Sequence, residues 1–137
     1  MTSRANRPVQ VLVLDSEALS LAVRGDRAMM VRLAMAVRGD AEVVTSPLTL
    51  VEAYDGRMTE QRWDWVLSRV RVADVGKEEA RRARRLLADT GLHGHKYALD
   101  AVLAVVAMQQ SGEVVVLTSD PDDLEKLVPD RILVLKV

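Results

Sequence analysis

Four carboxylates sit beside apolar runs. Asp15 ends PVQVLVLD, and Asp120 follows VVVLTS with Asp122 and Asp123 close behind. Asp100 opens the apolar stretch DAVLAVVAM, and Glu52 lies within SPLTLVEAYDG. Two unit charges about 4 Å apart repel by roughly 4 kcal/mol at an effective dielectric near 20. Acids gathered at one place therefore raise one another's pKa values unless a cation joins them. With no Cys and two His in the chain, oxygen donors favour a hard ion, Mg²⁺ or Mn²⁺. Such an ion polarises a phosphoryl oxygen and activates water, which points to phosphodiester hydrolysis. Taken singly, each acid also has a local reading. Asp15 and Asp100 suit helix caps, Asp120 suits an Asx turn before Pro121, and Glu52 suits a solvated helix face.

The joint reading depends on the elements that place these acids. PVQVLVLD is nearly all apolar, as expected of a strand buried on both faces of a parallel sheet. SEALSLAV and DRAMMVRLAMAV have helical spacing, the second capped by Asp26, and AEVVTS reads as the next strand. In SPLTLVEAYDG, Ser46 is placed as cap, Pro47 as first helical residue and Gly56 as terminator. TEQRWDWVLSRV is helical, VRVADV is a short strand, and KEEARRARRLLADT is a helix stopped by Gly91. GLHGHKYAL reads as a loop. The helix that follows, opened by Asp100, is apolar on nearly every side and therefore buried. VVVLTS, a short helix through Leu127 and RILVLKV complete five strands alternating with helices. That alternation predicts a three-layer α/β/α sandwich around a mostly parallel five-stranded sheet. Strand carboxyl ends and the starts of the following helices share one edge of such a sheet, where ligands bind. All four acids fall at that edge.

The 137 residues suit one domain over 9–137 behind a short arm, residues 1–8. MTSRANRP is basic but has no signal-length apolar continuation, and no run approaches the roughly 20 residues of a membrane span. The lack of cysteine excludes disulfides and thiolate sites and fits a reducing cytoplasm. A net charge of −1 argues against RNA binding by bulk electrostatics alone.

Taken in order, VLVLD, LTLVEAY, YALDAVLAVVA and VVVLTSDPDDL resemble the PIN-domain family, and more narrowly the VapC-type ribonuclease toxins of VapBC modules. The likeness runs from about Val9 to Val137. It implies Mg²⁺- or Mn²⁺-dependent RNA cleavage by an acidic quartet, which falls on Asp15, Glu52, Asp100 and Asp120. In that pattern Asp15, Asp100 and Asp120 ligate the metal, and Glu52 does so directly or through water. Thr118 and Ser119 are polar neighbours, and Asp123 matches a frequent additional acid. The resemblance further implies a cognate antitoxin, a homodimer and a cytoplasmic setting. Two other readings stand beside it. One is a catalytically silent PIN-like module that binds RNA or protein. The other is a different Mg²⁺-dependent phosphoryl-transfer enzyme, but Glu17 occupies the place where an aspartyl-phosphate phosphatase needs a second Asp, and no P-loop occurs.

Other residues invite roles. His93 and His95 lack the partners of a zinc site and read as surface or RNA-contacting loop. Arg81, Arg82, Arg84 and Arg85 form either a solvated face balanced by Glu78 and Glu79 or a phosphate stripe. Trp63 and Trp65 cannot share a helix face, so one belongs to the core and the other to the surface. Met29, Met30 and Met35 fit core filling or an adaptable partner surface.

Overall fold

A computed structural model describes residues 8–137. The arm expected over residues 1–8 lies, up to residue 7, outside the described residues. Strands β1 (Val11–Leu14), β2 (Glu42–Thr45), β3 (Arg71–Val72), β4 (Val114–Thr118) and β5 (Leu133–Lys136) form one sheet in the order β3-β2-β1-β4-β5. Every pairing is parallel. The helices are α1 (Ser16–Arg24), α2 (Arg27–Arg38), α3 (Pro47–Ala53), α4 (Glu60–Leu67), α5 (Lys77–Thr90), α6 (Gly94–Met108) and α7 (Pro121–Glu125).

Successive strand residues point to opposite faces, and the core divides accordingly. Leu12, Leu14, Val43, Val115 and Leu117 pack with α1, α2 and α4 side chains such as Leu19, Leu33 and Val66. Val11, Val13, Val44, Val114 and Val116 pack with Leu103, Val106 and Leu124 of α6 and α7. The result is the three-layer sandwich that the alternation predicts. β1 and β4, covered on both sides, are buried at every position, which explains their unbroken apolar character.

Local chemistry sets most element ends. The carboxylates of Asp15 and Asp26 accept from the backbone amides of Ala18 and Met29 to start α1 and α2. Ser46 accepts from Leu48 N at the start of α3, with Pro47 in its first turn. Gly91 ends α5 at φ 70, a left-handed conformation that costs glycine little.

Beyond the trimming of α4, α7 and β3 to Glu60–Leu67, Pro121–Glu125 and Arg71–Val72, two boundaries near the acids differ from the sequence expectation. Helix α3 stops at Ala53 with Tyr54 as its cap, before Gly56, and the Asp55–Arg57 turn follows. There Asp55 Oδ1 accepts from the Arg57 backbone amide at 2.9 Å, so side-chain bonding ends the helix earlier than glycine would. Helix α6 begins at Gly94, and Asp100 is its seventh residue rather than its opener. Tyr97 is buried one turn before the buried Ala101, and burying that ring extends the helix through a stretch whose Gly and His suggest a loop.

The tryptophans divide between core and surface. Trp63 is buried. Trp65 lies between the guanidinium groups of Arg62 and Arg69, at 4.7 and 4.0 Å from its ring centre. Met29 is buried, Met30 is partly covered and Met35 is exposed.

Candidate active site

β1 and β4 are neighbours in register, Leu14 opposite Leu117, so the residues that follow them leave the sheet side by side. Asp15 is 9% exposed, and both of its carboxylate oxygens are occupied. Oδ1 accepts from Ala18 N at 2.8 Å and Oδ2 from Ser119 N at 3.0 Å. The Thr118 hydroxyl also bonds this carboxylate. Burial raises the Asp15 pKa, these three bonds partly offset it, and the charge of Glu17 adds to the rise. Asp15 thus performs its local capping role and also joins the loop after β4.

That loop is organised in turn. Thr118 is buried, and its Oγ1 accepts from Asp120 N at 3.0 Å. Asp120 caps α7, Oδ1 accepting from Asp123 N at 3.3 Å. On the other side of β1, buried Thr45 donates from Oγ1 to the Leu14 carbonyl at 2.7 Å. This bond fixes the end of β2, and with it the start of α3, against the strand that delivers Asp15. Glu52 is the sixth residue of α3 and is exposed.

Asp100 arrives from the opposite layer. Because α6 leads into a parallel strand, its first turns stand at the carboxyl edge of the sheet. The Asp100 pKa is pushed up to about 6, first by burial and then by the charges of Asp123, Asp15, Glu52 and Asp120. Five acids from the ends of β1 and β4 and from α3, α6 and α7 therefore act on one another electrostatically.

Among the described residues, no three His, Asp or Glu side chains already converge as a metal cage. The donor chemistry nonetheless fits a hard divalent cation: carboxylate oxygens only, with mutual repulsion that a cation relieves.

A polar groove of about 530 Å³ adjoins these acids, lined by Ser16, Ser20, Arg24, Glu52, Tyr54 and Arg57 among others. Arg24 pairs with Glu17 at 3.0 Å and Arg57 with Asp55 at 2.7 Å. His93 is the N-cap residue of α6 without a side-chain capping bond, and His95 is exposed. Neither histidine lies on the strand ends that carry Asp15 and Asp120. Arg81, Arg82, Arg84 and Arg85 are all exposed on α5, with Arg82 at 3.6 Å from Glu78.

Sequence reasoning passed over Lys96, Tyr97 and Lys126, which stand beside the acids. The signal was helical spacing: Lys96 precedes Asp100 by four residues and Lys126 follows Asp123 by three.

Comparison with known proteins gives three findings. The family model described as PIN domain matches residues 12–128. No curated protein matches the sequence. A chain in the crystal structure of VapBC2 from Rickettsia felis, bound to a DNA fragment from their promoter, superposes with a TM-score of 0.67 at 11% identity. The match covers 93% of this chain and 99% of that one. At such low identity the likeness is one of fold.

Proposed function

The chain belongs to the PIN-domain family, and on that basis we propose that it is a Mg²⁺- or Mn²⁺-dependent endoribonuclease, the toxin of a VapC-type toxin–antitoxin pair. One observation carries the reading: Asp100 is held near a pKa of about 6 by burial and by Asp123, Asp15, Glu52 and Asp120. A half-buried carboxyl whose pKa is raised first by burial and then by four neighbouring acids suits a cation, which would offset both effects.

Asp15, Asp100 and Asp120 would hold the ion, with Glu52 as a direct or water-mediated ligand and Asp123 as an additional acid. When bound, the ion supplies a Lewis acid for the scissile phosphate and lowers the pKa of a water. The Ala18 and Ser119 amides and the Thr118 hydroxyl fix the direction of the Asp15 carboxylate, and the lone pairs not used by these bonds would serve the ion. Buried Thr118 also orients the turn that presents Asp120. The polar groove beside Glu52 would give single-stranded RNA a route to the acids, with Arg24 and Arg57 exchanging their Glu17 and Asp55 partners for phosphates.

The likeness to VapBC2 supports an antitoxin as partner, and the family resemblance supports a homodimer acting on RNA in the cytoplasm. No helix among the described residues is long and apolar enough to cross a membrane.

The test is Asp100→Asn in a purified protein offered Mg²⁺ or Mn²⁺ and single-stranded RNA. Cleavage should be abolished while the circular dichroism spectrum is retained. Cleavage equal to wild type would remove the acids from the mechanism. A silent binding module is the second reading, favoured by the lack of a preformed three-ligand cage among the described residues. It requires that Mn²⁺ leave the melting temperature of the wild type unchanged.

A further inference from the structure

The chain has four lysines, and two of them meet at one ring beside the acids. Lys96 in the first turn of α6 and Lys126 at the end of α7 lie with Nζ 5.1 and 5.8 Å from the Tyr97 ring centre. The ring itself is 7% exposed and so makes a fixed mount. Lys96 Nζ also bonds the Tyr97 side chain and feels Asp123 and Asp120. Lys126 Nζ stands 3.7 Å from Asp123 Oδ1. Two elements thirty residues apart in sequence thus bring like charges to one aromatic ring, against the ordinary repulsion between ammonium groups.

Charge balance alone needs no such arrangement, because a lysine on a free stem screens an acid equally well. Holding both ammonium groups at a buried ring keeps them beside Asp120 and Asp123. Fixed cations beside an acidic centre suit a polyanion that must approach that centre against its field. A lysine ammonium serves a phosphate as a compact point charge with three donors.

We infer that Lys96 and Lys126, mounted on Tyr97, form a clamp for an RNA phosphate neighbouring the one that is cut. The clamp rests on the ribonuclease reading above. It places the substrate strand across the α6–α7 side of the acids. The two lysines bind substrate without taking part in bond cleavage.

The test compares wild type with a Lys96→Gln/Lys126→Gln variant, using a short single-stranded RNA of mixed sequence. Affinity is measured in EDTA across a salt series, and cleavage is measured in Mn²⁺. Each phosphate contact on a single strand contributes about 0.7 to the slope of log affinity against log salt. The variant's slope should therefore be shallower by about 1.4. Between 50 and 200 mM salt its affinity should fall about sevenfold less than that of wild type, by the same relation. KM should rise while kcat holds within about twofold, the pattern of lost substrate binding. Mn²⁺ binding by calorimetry should persist, and a Lys96→Arg/Lys126→Arg protein should regain the slope.

If the double variant does not fold, Lys126→Gln alone decides the matter, with an expected slope change of about 0.7. An unchanged slope in a folded variant, beside a wild type that cleaves, overturns the clamp and leaves the nuclease reading standing. A wild type that neither binds nor cleaves RNA overturns both.

Discussion

Replacing Asp100 by Asn removes a charge while keeping the size of the side chain, so it measures what the acids cost the fold. In the folded protein the Asp100 pKa rises from the ordinary 3.8 to about 6. At about 1.36 kcal/mol per pH unit, ionising this side chain at pH 7 costs the native state about 3 kcal/mol. Asp100 is only partly buried, so solvent screening reduces this to about 1–2 kcal/mol. The sign follows from proton counts. Between about pH 4 and pH 6 the folded state holds a proton that the unfolded chain has released, so stability falls as pH rises through that window. The penalty is absent below it and complete above it.

Asp100→Asn should therefore raise the melting temperature of the cation-free protein at pH 7. At about 3–4 °C per kcal/mol for a chain of this size, the gain is about 3–8 °C. It should shrink towards zero as the pH is lowered to about 4. Added Mn²⁺ should reverse the ranking, because a ligand at 100 times its Kd stabilises the wild type by about 2.7 kcal/mol. The assay is differential scanning calorimetry in EDTA and in Mn²⁺ at several pH values. An Asn variant less stable than wild type at pH 7 in EDTA, or a gain that ignores pH, would refute the electrostatic account.

Other substitutions probe how the edge is held. Thr118→Val keeps the shape but deletes the hydroxyl that bonds Asp15 and accepts from Asp120 N. It should cost about 1 kcal/mol for the lost hydrogen bonds and should weaken Mn²⁺ binding measured by calorimetry. Ser46→Ala removes the cap of α3 and should cost about 1 kcal/mol in denaturant titration, with weaker metal affinity if Glu52 is a ligand.

The sheet was legible because its strands are hydrophobic throughout, and only a parallel sheet covered on both faces needs VLVL and VVVL. Asp15 and Asp120 were legible for the same reason, since the ends of such strands can be found by eye. Asp100 was placed correctly along the chain but wrongly within its helix. The Gly and His of HGHKY read as loop by composition and outweigh the helical spacing of Lys96 and Asp100, whereas the burial of Tyr97 that favours helix there is a tertiary fact. The end of α3 was misplaced because the Asp55–Arg57 turn competes with helix through side-chain bonds, which a terminating glycine does not reveal. Lys126 was invisible as a neighbour of Tyr97 because packing of α7 on α6, not sequence spacing, joins them.

The bond from Ser119 N to the Asp15 carboxylate spans 104 residues of chain, and it bears on how the protein is born. β1 precedes every other described strand in the chain but occupies the middle of the sheet, and its neighbour β4 is the fourth of the five. Until that late segment emerges, Asp15 has no Ser119 to direct it, and Asp120 and Asp123 do not yet exist. The acidic edge is complete only when the segment carrying Ser119, Asp120 and Asp123 has been made and paired with β1.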